Sequence, residues 1–595
     1  MIHNKTTLAT LTVCGVLAFS GCTLNQMVKK SKEQKVTVTP NPLEVHADQV
    51  KFTAEATLPV KMLKKKTTYT GNIAYKYGEK KTDVGAIEFN AADYPNAKKE
   101  SPVKSQEFNF PYQEDMRRGE LTFTGTAAKG KKSKVSPELA IAQGIITTSR
   151  LVQDATPVVY AESGYNPDPE YKPTYVAFFF DQGKSSLKTS EVRSKRGKFL
   201  DAFIADKNVT KTVTVTGTHS PEGTERKNKF LSDDRAKQIE TYYRKKMKQY
   251  DYKDQADSIE FVLKPVFEDW TVLKDSVNSS TVLQQEQKDQ VLSIVDGGGE
   301  WEEKEKQLEK LPFWKTLFRQ VYPKLRNANT EILTLIEKKT DAEMSAISKR
   351  IVEGKDTVGA LSETELAWAA TLTPVLEEKQ AIYAVAMKNY DSWQAHNNYA
   401  STQLEMAKKS NDAAKKSQLA DDAITHLDMA KAKQETAEIY SNLATAYTIK
   451  GDKQKAAEAV AKAQTLTGND EVTKAINATK GVQQIRAAQY SEAAATLSQA
   501  GDDAMVLHNK ALAQLLAGQA DAAIATLNDA AAKDASNGDV YYLMAVANAR
   551  AKREADVFSN LQKAIQNKST LRDKAVDDLE FAAYKDSEGF KNSLK

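Results

Sequence analysis

Apolar and polar positions alternate along residues 36–150. Phe52, Ala54, Ala56 and Leu58 share one parity, as do Ile73, Tyr75 and Tyr77, and then Leu121 and Phe123. A period of two places such residues on one face of a strand. With turn-type clusters between the runs, the pattern predicts an antiparallel β-sandwich with one face of each sheet buried. The lysine runs at 64–66 and 129–134 are expected in hairpin loops. The stretch 164–173 then holds three prolines, which exclude helix and mark a domain boundary. Beyond it the period changes. Residues 175–180 are a continuous apolar run of strand length, and 192–204 have helical spacing through Phe199, Leu200 and Phe203. Val213 and Val215 alternate, 231–250 is helical with Ala236, Ile239 and Tyr243 on one face, and 258–263 supplies a third strand. Strand–helix–strand–helix–strand predicts an α/β layer. Residues 264–322, helical, polar and broken by Gly297-Gly298-Gly299, read as an insertion before a late strand at 330–336 of the same sheet. From about residue 340 the chain is alanine-rich and helical to its end.

Composition narrows the function classes. A length of 595 residues allows about three to five domains. The 41% hydrophobic content excludes a wholly disordered chain, and a mean hydropathy of −0.55 excludes a polytopic membrane protein. The net charge of +5 is too small for a dominant nucleic-acid field, so no nucleic-acid partner is expected. The charge is uneven, however. Residues 23–150 carry 22 basic and 14 acidic groups, whereas 151–595 carry 61 and 65. A basic front module suits an anionic surface and equally suits a solvated face.

Both cysteines, Cys14 and Cys22, lie in the first 22 residues. Lys5 precedes an apolar run from Leu8 to Phe19, too short to span a bilayer and of the size of a signal-peptide core. The run ends Phe19-Ser20-Gly21-Cys22, which resembles the lipobox of bacterial lipoproteins. The resemblance implies cleavage before Cys22, acylation of that residue, and a mature chain without a free thiol. Two or three acyl chains, at about 0.8 kcal/mol per buried CH₂, suffice as an anchor. Residues 23–30 contain no acidic run of the kind that resembles a surface-export signal in Bacteroidota-like lipoproteins, which favours the periplasmic face of the outer membrane.

Residues 216–236 resemble an OmpA-like C-terminal domain. A strand ends in Gly217, a turn holds Gly223, Asn228 follows, and Leu231-Ser232 with Arg235-Ala236 opens a helix. The resemblance covers roughly 174–340, and Tyr322-Pro323-Lys324-Leu325-Arg326 is similar to OmpA-like proteins of Bacteroidota fimbrial and surface operons. In that family an aspartate holds the amine, and an arginine the carboxylate, of peptidoglycan diaminopimelate. Arg235 and Asn228 stand at matching positions, but Ser220 replaces the aspartate, and the charge-assisted bond to an ammonium is lost. The alternative role of Arg235 is a structural ion pair.

Tyr440, Leu443, Ala444, Tyr447, Gly451, Ala456, Val460 and Ala463 fit positions 4, 7, 8, 11, 15, 20, 24 and 27 of a tetratricopeptide repeat that begins at Ala437. Weaker copies follow, and an earlier unit begins at Trp393. Position 6 is Asn398, Asn442 and Asn509 in three units. In similar peptide-binding repeats asparagines on this concave face hold the backbone of an extended ligand. Bonding to the adjoining helix, to set the stacking, is the other role open to them.

Six histidines are scattered singly, with no i+3 or i+4 pair, and no phosphate loop, dinucleotide fingerprint or zinc motif occurs. No catalysis, cofactor or metal is expected. The expected chain is multidomain. It comprises a signal peptide (1–21), a tether (22–35), an N-terminal antiparallel β-sandwich (36–160) and a proline-rich linker (161–173). A central α/β OmpA-like domain (174–340, with an insertion at 264–322) and a C-terminal all-α tetratricopeptide solenoid (341–595) complete it. The expected function is an outer-membrane lipoprotein scaffold in the periplasm. Its partners are membrane lipid through Cys22, a protein or extended peptide through the repeats, and peptidoglycan through Ser220, Asn228 and Arg235. The alternative is an assembly factor of a secretion, gliding or fimbrial apparatus with a repurposed OmpA-like domain.

Overall fold

The computed structural model describes residues 17–266 and 270–595, apart from the side chains of residues 17–22, 225 and 253–255. Residues 1–16 of the expected leader and the side chain of Cys22, the expected lipid attachment, lie outside the described residues. The chain divides into two compact units, residues 1–164 with 341–595, and residues 165–340. No helix among the described residues is long and apolar enough to cross a membrane.

The first unit opens with a helix, Leu17–Lys30, and nine strands. These are β1 (Lys35–Thr39), β2 (Leu43–His46), β3 (Gln49–Thr57), β4 (Thr68–Tyr77), β5 (Lys80–Asn90), β6 (Val103–Pro111), β7 (Gly119–Lys129), β8 (Lys132–Gln143) and β9 (Ile145–Ile146). One sheet runs β1–β3–β2–β9 with β6 on β3, and the other runs β5–β4–β7–β8. The alternation read from the sequence is the burial pattern. Val50, Phe52, Ala54 and Ala56 of β3, with Tyr69, Ile73, Tyr75 and Tyr77 of β4 and Leu121 and Phe123 of β7, share one core. Its rings pack within and between the sheets, Phe52 on its strand neighbour Phe108 at 5.5 Å and Tyr75 on Phe110 of the opposite sheet at 5.3 Å. Gly71 and Gly125 face each other in register because Phe123 and Tyr69 lie over them; a Cβ on Gly71 would meet Phe123 at 1.8 Å.

Two expectations change here. Residues 22–35 are not a free tether: the first helix drops Leu24 and Met27 into the sandwich core, where apolar burial outweighs the freedom of the chain. Residues 64–66 do not cap a hairpin but lie where the chain crosses from β3 to β4, which belong to different sheets. Residues 129–134 do enclose the β7–β8 turn, Lys129 pairing with Lys132.

From Asp341 the first unit is helical. Three helices lead into antiparallel pairs, whose first members are Trp393–Lys409, Ala437–Lys450, Asp470–Arg486, Ala504–Leu516 and Gly538–Arg550. Each begins behind a polar cap (Ser392, Thr436, Asn469, Asp503 and Asn537) whose side chain accepts orphan backbone N–H groups. Small residues let paired helices approach, as at Gly481, where a Cβ would sit 2.4 Å from Leu497 Cγ.

The second unit is built on β10 (Tyr171–Phe179), β11 (Thr210–Gly217), β12 (Glu260–Pro265) and β13 (Asn327–Leu335) in the order β10–β13–β11–β12. β11 and β12 are parallel and the other pairs antiparallel. Pro173 is accommodated because β10 is an edge strand. Helices Lys195–Ala205 and Glu225–Gln249 close one core through Leu200, Ile204, Ala236, Ile239 and Tyr243. Between β12 and β13 the helices of residues 271–325 form a second core of their own around Leu273, Val291, Leu308 and Tyr322.

Candidate functional site: a helical groove that holds an internal strand

Residues 152–163 leave the sandwich as extended chain, with neither helix nor sheet to satisfy their backbone. A buried backbone needs partners, and three side chains supply most of them. Asn398, Asn442 and Asn509 are the sixth residues of helices that begin at Trp393, Ala437 and Ala504, and all three are buried. Asn509 accepts from the Gln153 N–H and donates to the Gln153 carbonyl, both at 2.9 Å. Asn442 treats Val159 in the same way (2.9 and 2.7 Å), as Asn398 does Ala161 (2.6 and 3.0 Å). An amide side chain offers one acceptor and an NH₂ donor, like a peptide unit. Each asparagine therefore stands in for the partner residue of an antiparallel ladder. Asn442 also donates to Asn397 and Ser401 of the adjoining helix, so the ligand-holding and stacking roles meet in one residue.

Positions not singled out from the sequence complete the grip. Ser401 and Asn397 donate to the Val159 carbonyl (2.8 and 3.3 Å), and Thr445 donates to the Pro157 carbonyl at 2.5 Å. His508 Nε2 lies 3.0 Å from the Leu151 carbonyl, and burial lowers its pKa, so the neutral ring donates from Nε2. These residues are the fifth and ninth of their helices; the two positions are one turn apart and flank position 6 on the same wall, which is the signal that could have found them. Ala155 and Val159 are each 1% exposed and belong to the helical cores. Asp154 pairs with Arg486, and the Tyr160 ring stacks on Tyr383. The segment runs against the order of the repeats, Gln153 lying at the later helix and Ala161 at the earlier one.

The same unit clasps the adjoining end of the sandwich. His46 Nδ1 is 2.6 Å from the Tyr490 hydroxyl, Arg117 and Arg118 meet Asp577, and Thr148 donates to Glu580 at 2.5 Å. A cavity of about 550 Å³ beside the strap is walled by Asp48, Arg150, Asp154, Lys453 and Arg486, charges that pair among themselves.

The loop after β11 holds the other candidate residues. Arg235 is 1% exposed, and each of its three guanidinium nitrogens donates to a backbone carbonyl, those of Thr218 (2.6 Å), Lys184 (3.1 Å) and Asp181 (3.3 Å). It forms no ion pair with Asp233, which instead meets Lys237. Burial pushes the Arg235 pKa down to about 10, with Arg326 adding to the shift. Ser220 accepts from Arg326 Nε at 2.9 Å, and Arg326 also binds Glu222 at 2.6 Å. Asn228 is buried and donates to the Pro221 carbonyl at 3.4 Å. The inserted helices close over this loop, with Trp301 edge-on to His219 at 5.7 Å and its indole N–H toward the Pro221 carbonyl. Glu305 of the same insertion is 7% exposed and accepts from the Tyr322 hydroxyl at 3.2 Å; desolvation, with Glu222 nearby, raises its pKa to about 8.

Two histidines that are distant in sequence meet: His396 and His426 approach at 3.2 Å between Nδ1 atoms, and Asp391 lies 2.8 Å from His396 Nε2. Among the described residues no group of three or more His, Cys, Asp or Glu side chains is placed to hold a metal ion.

No protein-family model matches the chain, and no curated protein does. Among solved structures it is similar to the APC/C hetero-tetramer Cut9-Hcn1, at 14% identity over 63% of this chain and 77% of that one, with a TM-score of 0.33. The TPR2AB domain of yeast Sti1, in complex with pHSP90, matches at 15% identity over 43% of this chain and 100% of that one, with a TM-score of 0.17. An E. coli alpha-2-macroglobulin matches at 10% identity over 82% of this chain and 25% of that one, with a TM-score of 0.11. At these TM-scores none of the three bears on function; the chain's own geometry does.

Asn442→Ala leaves the buried Val159 N–H without a partner, since Ser401 and Asn397 reach only its carbonyl. The expected cost is about 1–3 kcal/mol, with faster amide exchange at Val159; unchanged exchange would show that the asparagine does not hold the strap. Glu305 is an acid with a folded-state pKa raised to about 8 from 4.5, so its protonated form favours folding. That contribution is complete below pH 4.5 and is lost as the pH rises toward 8. Glu305→Gln should flatten stability across this window in urea titrations and raise it at pH 8.

Proposed function

We propose that the chain is a non-catalytic scaffold lipoprotein of a bacterial outer membrane, anchored through Cys22 on the periplasmic side. It presents a tetratricopeptide solenoid whose groove is used within the molecule. The asparagine ladder carries this reading: the side chains expected to hold an extended ligand hold residues 152–163 of the same chain. Helices that start at the register positions predicted for the repeats support the tetratricopeptide assignment. A strap tethered at both ends competes at an effective concentration on the order of millimolar or above, and it is continuous with the sandwich that the array clasps. The groove is then a joint, and protein partners meet the array on its remaining faces.

The second unit has the strand–helix order expected of an OmpA-like domain. Its loop favours the assembly-factor reading over a wall tether. A diaminopimelate carboxylate needs an accessible guanidinium edge, whereas that of Arg235 is buried with three of its five N–H groups bound to carbonyls. The amine position holds Ser220, which already faces the cation of Arg326.

Three measurements test the proposal. A labelled peptide of residues 151–163 should not bind the intact chain, and saturable binding would make the groove an open receptor. Peptidoglycan sedimentation should recover neither the wild type nor Ser220→Asp, whose new carboxylate would pair with Arg326; recovery of the wild type would restore the wall tether. Cys22→Ala should release the protein from the membrane fraction in a high-salt wash, which removes charge-held protein, and quantitative retention through that wash would sink the anchor.

A further inference from the structure

The basic surplus of residues 23–150 is not spread over the sandwich. Strand register sorts its loops into two ends. Thr57, Thr68, Asn90, Val103, Lys129 and Lys132 lie at one end, where Thr57 pairs with Val103, Thr68 with Asn90 and Ala128, and Lys129 with Lys132. The loops there touch, the Lys61 N–H donating to the Ala97 carbonyl at 2.7 Å. Loops 61–66, 91–102 and 129–134 together carry ten lysines against two acidic residues, Asp93 and Glu100. The other end carries Glu44, His46, Asp48, Arg117 and Arg118, and it is the end clasped by the helical array through Tyr490, Lys453, Asp577 and Arg550.

The helix Leu17–Lys30 belongs to the lysine end. Its Lys30 Nζ reaches the Val60 carbonyl at 3.3 Å, and Lys134 of the β7–β8 turn donates to Asn25. Cys22 lies in this helix, less than one turn before Asn25. The charged end and the residue expected to carry acyl chains are therefore neighbours. Lys29 and Lys30 in the last helical turn add to the same field.

We infer that the lysine-bearing end of the sandwich is a membrane-contact surface, which binds the phosphate headgroups of an anionic lipid bilayer. A point-like ammonium on a flexible stem suits a mobile headgroup layer, and lysines clustered on one face act together within a Debye length of it. The opposite end is taken by the helical array, so the array is held away from the lipid. The inference borrows from the anchored-scaffold reading only the nearness of lipid; the charge distribution stands without acylation.

The test uses the chain from Thr23 onward, which lacks the acylated residue yet keeps every strand together with Leu24 and Met27. It is sedimented with vesicles of phosphatidylcholine alone or mixed with phosphatidylglycerol. Binding is expected with the anionic vesicles, absent with the neutral ones, and reversed by salt. Each lysine charge near such a surface is worth roughly fivefold in affinity. The triple variant Lys65→Glu, Lys131→Glu, Lys132→Glu should bind at least about tenfold more weakly with an unchanged melting curve. Lys415→Glu with Lys416→Glu, on an outer helix of the array, should bind like the wild type. Equal binding to both vesicles, undiminished binding by the triple variant, or binding to soluble polyphosphate without binding to vesicles would each overturn the inference. Because no acyl chain is present, failure of the Cys22→Ala fractionation would leave this result standing, and the converse also holds.

Discussion

A peptide backbone cannot be buried without hydrogen-bond partners, and in residues 152–163 neither helix nor sheet provides them. Asparagine amides in the helical groove do so instead. Because each amide meets both the N–H and the C=O of one residue, the strap is held as a strand of a ladder whose other side consists of side chains. The packing of Val159 into the helical core depends on that satisfaction, since an orphaned N–H there would offset the gain from burying the side chain. Sandwich and helical array thereby form one compact unit although more than 170 residues of chain separate Gly164 from Asp341.

The second unit applies the same economy of donors. Arg235 could be buried only because three carbonyls take up its N–H groups, and the ring of Phe180 lies 5.4 Å from the guanidinium. Buried and bonded to a carbonyl from each of its three nitrogens, the guanidinium presents no open edge to a ligand carboxylate. The inserted helices, with their own core, place Trp301, Glu305 and Tyr322 against the loop that the family resemblance marks as a binding site. Residues of the right type in the right register can thus be turned inward, which is why type and spacing alone do not establish a ligand.

Charge is organised on a longer scale. The sandwich directs its mixed acidic and basic end to the array and its lysines to the opposite end. The alternation of apolar residues says nothing of this, because it distinguishes the two faces of a sheet and not the two ends of its strands.

The sequence by itself determined what is local or periodic. Parity in 50–56 and 121–127 set the buried face of the sheets, polar caps set the helix starts, and position 6 of the repeat register placed Asn398, Asn442 and Asn509 on one wall. Those features follow from pitch and pleat, which neighbouring residues impose on one another. Only the tertiary structure decided which groups meet. Gln153 and Asn509 are 356 positions apart, and His396 and His426 are 30 apart on different helices. The helix face was legible because each asparagine repeats its position in the pitch. Its occupant was not, because the strap has no period of its own: its conformation is set by a groove that forms only when the repeats stack.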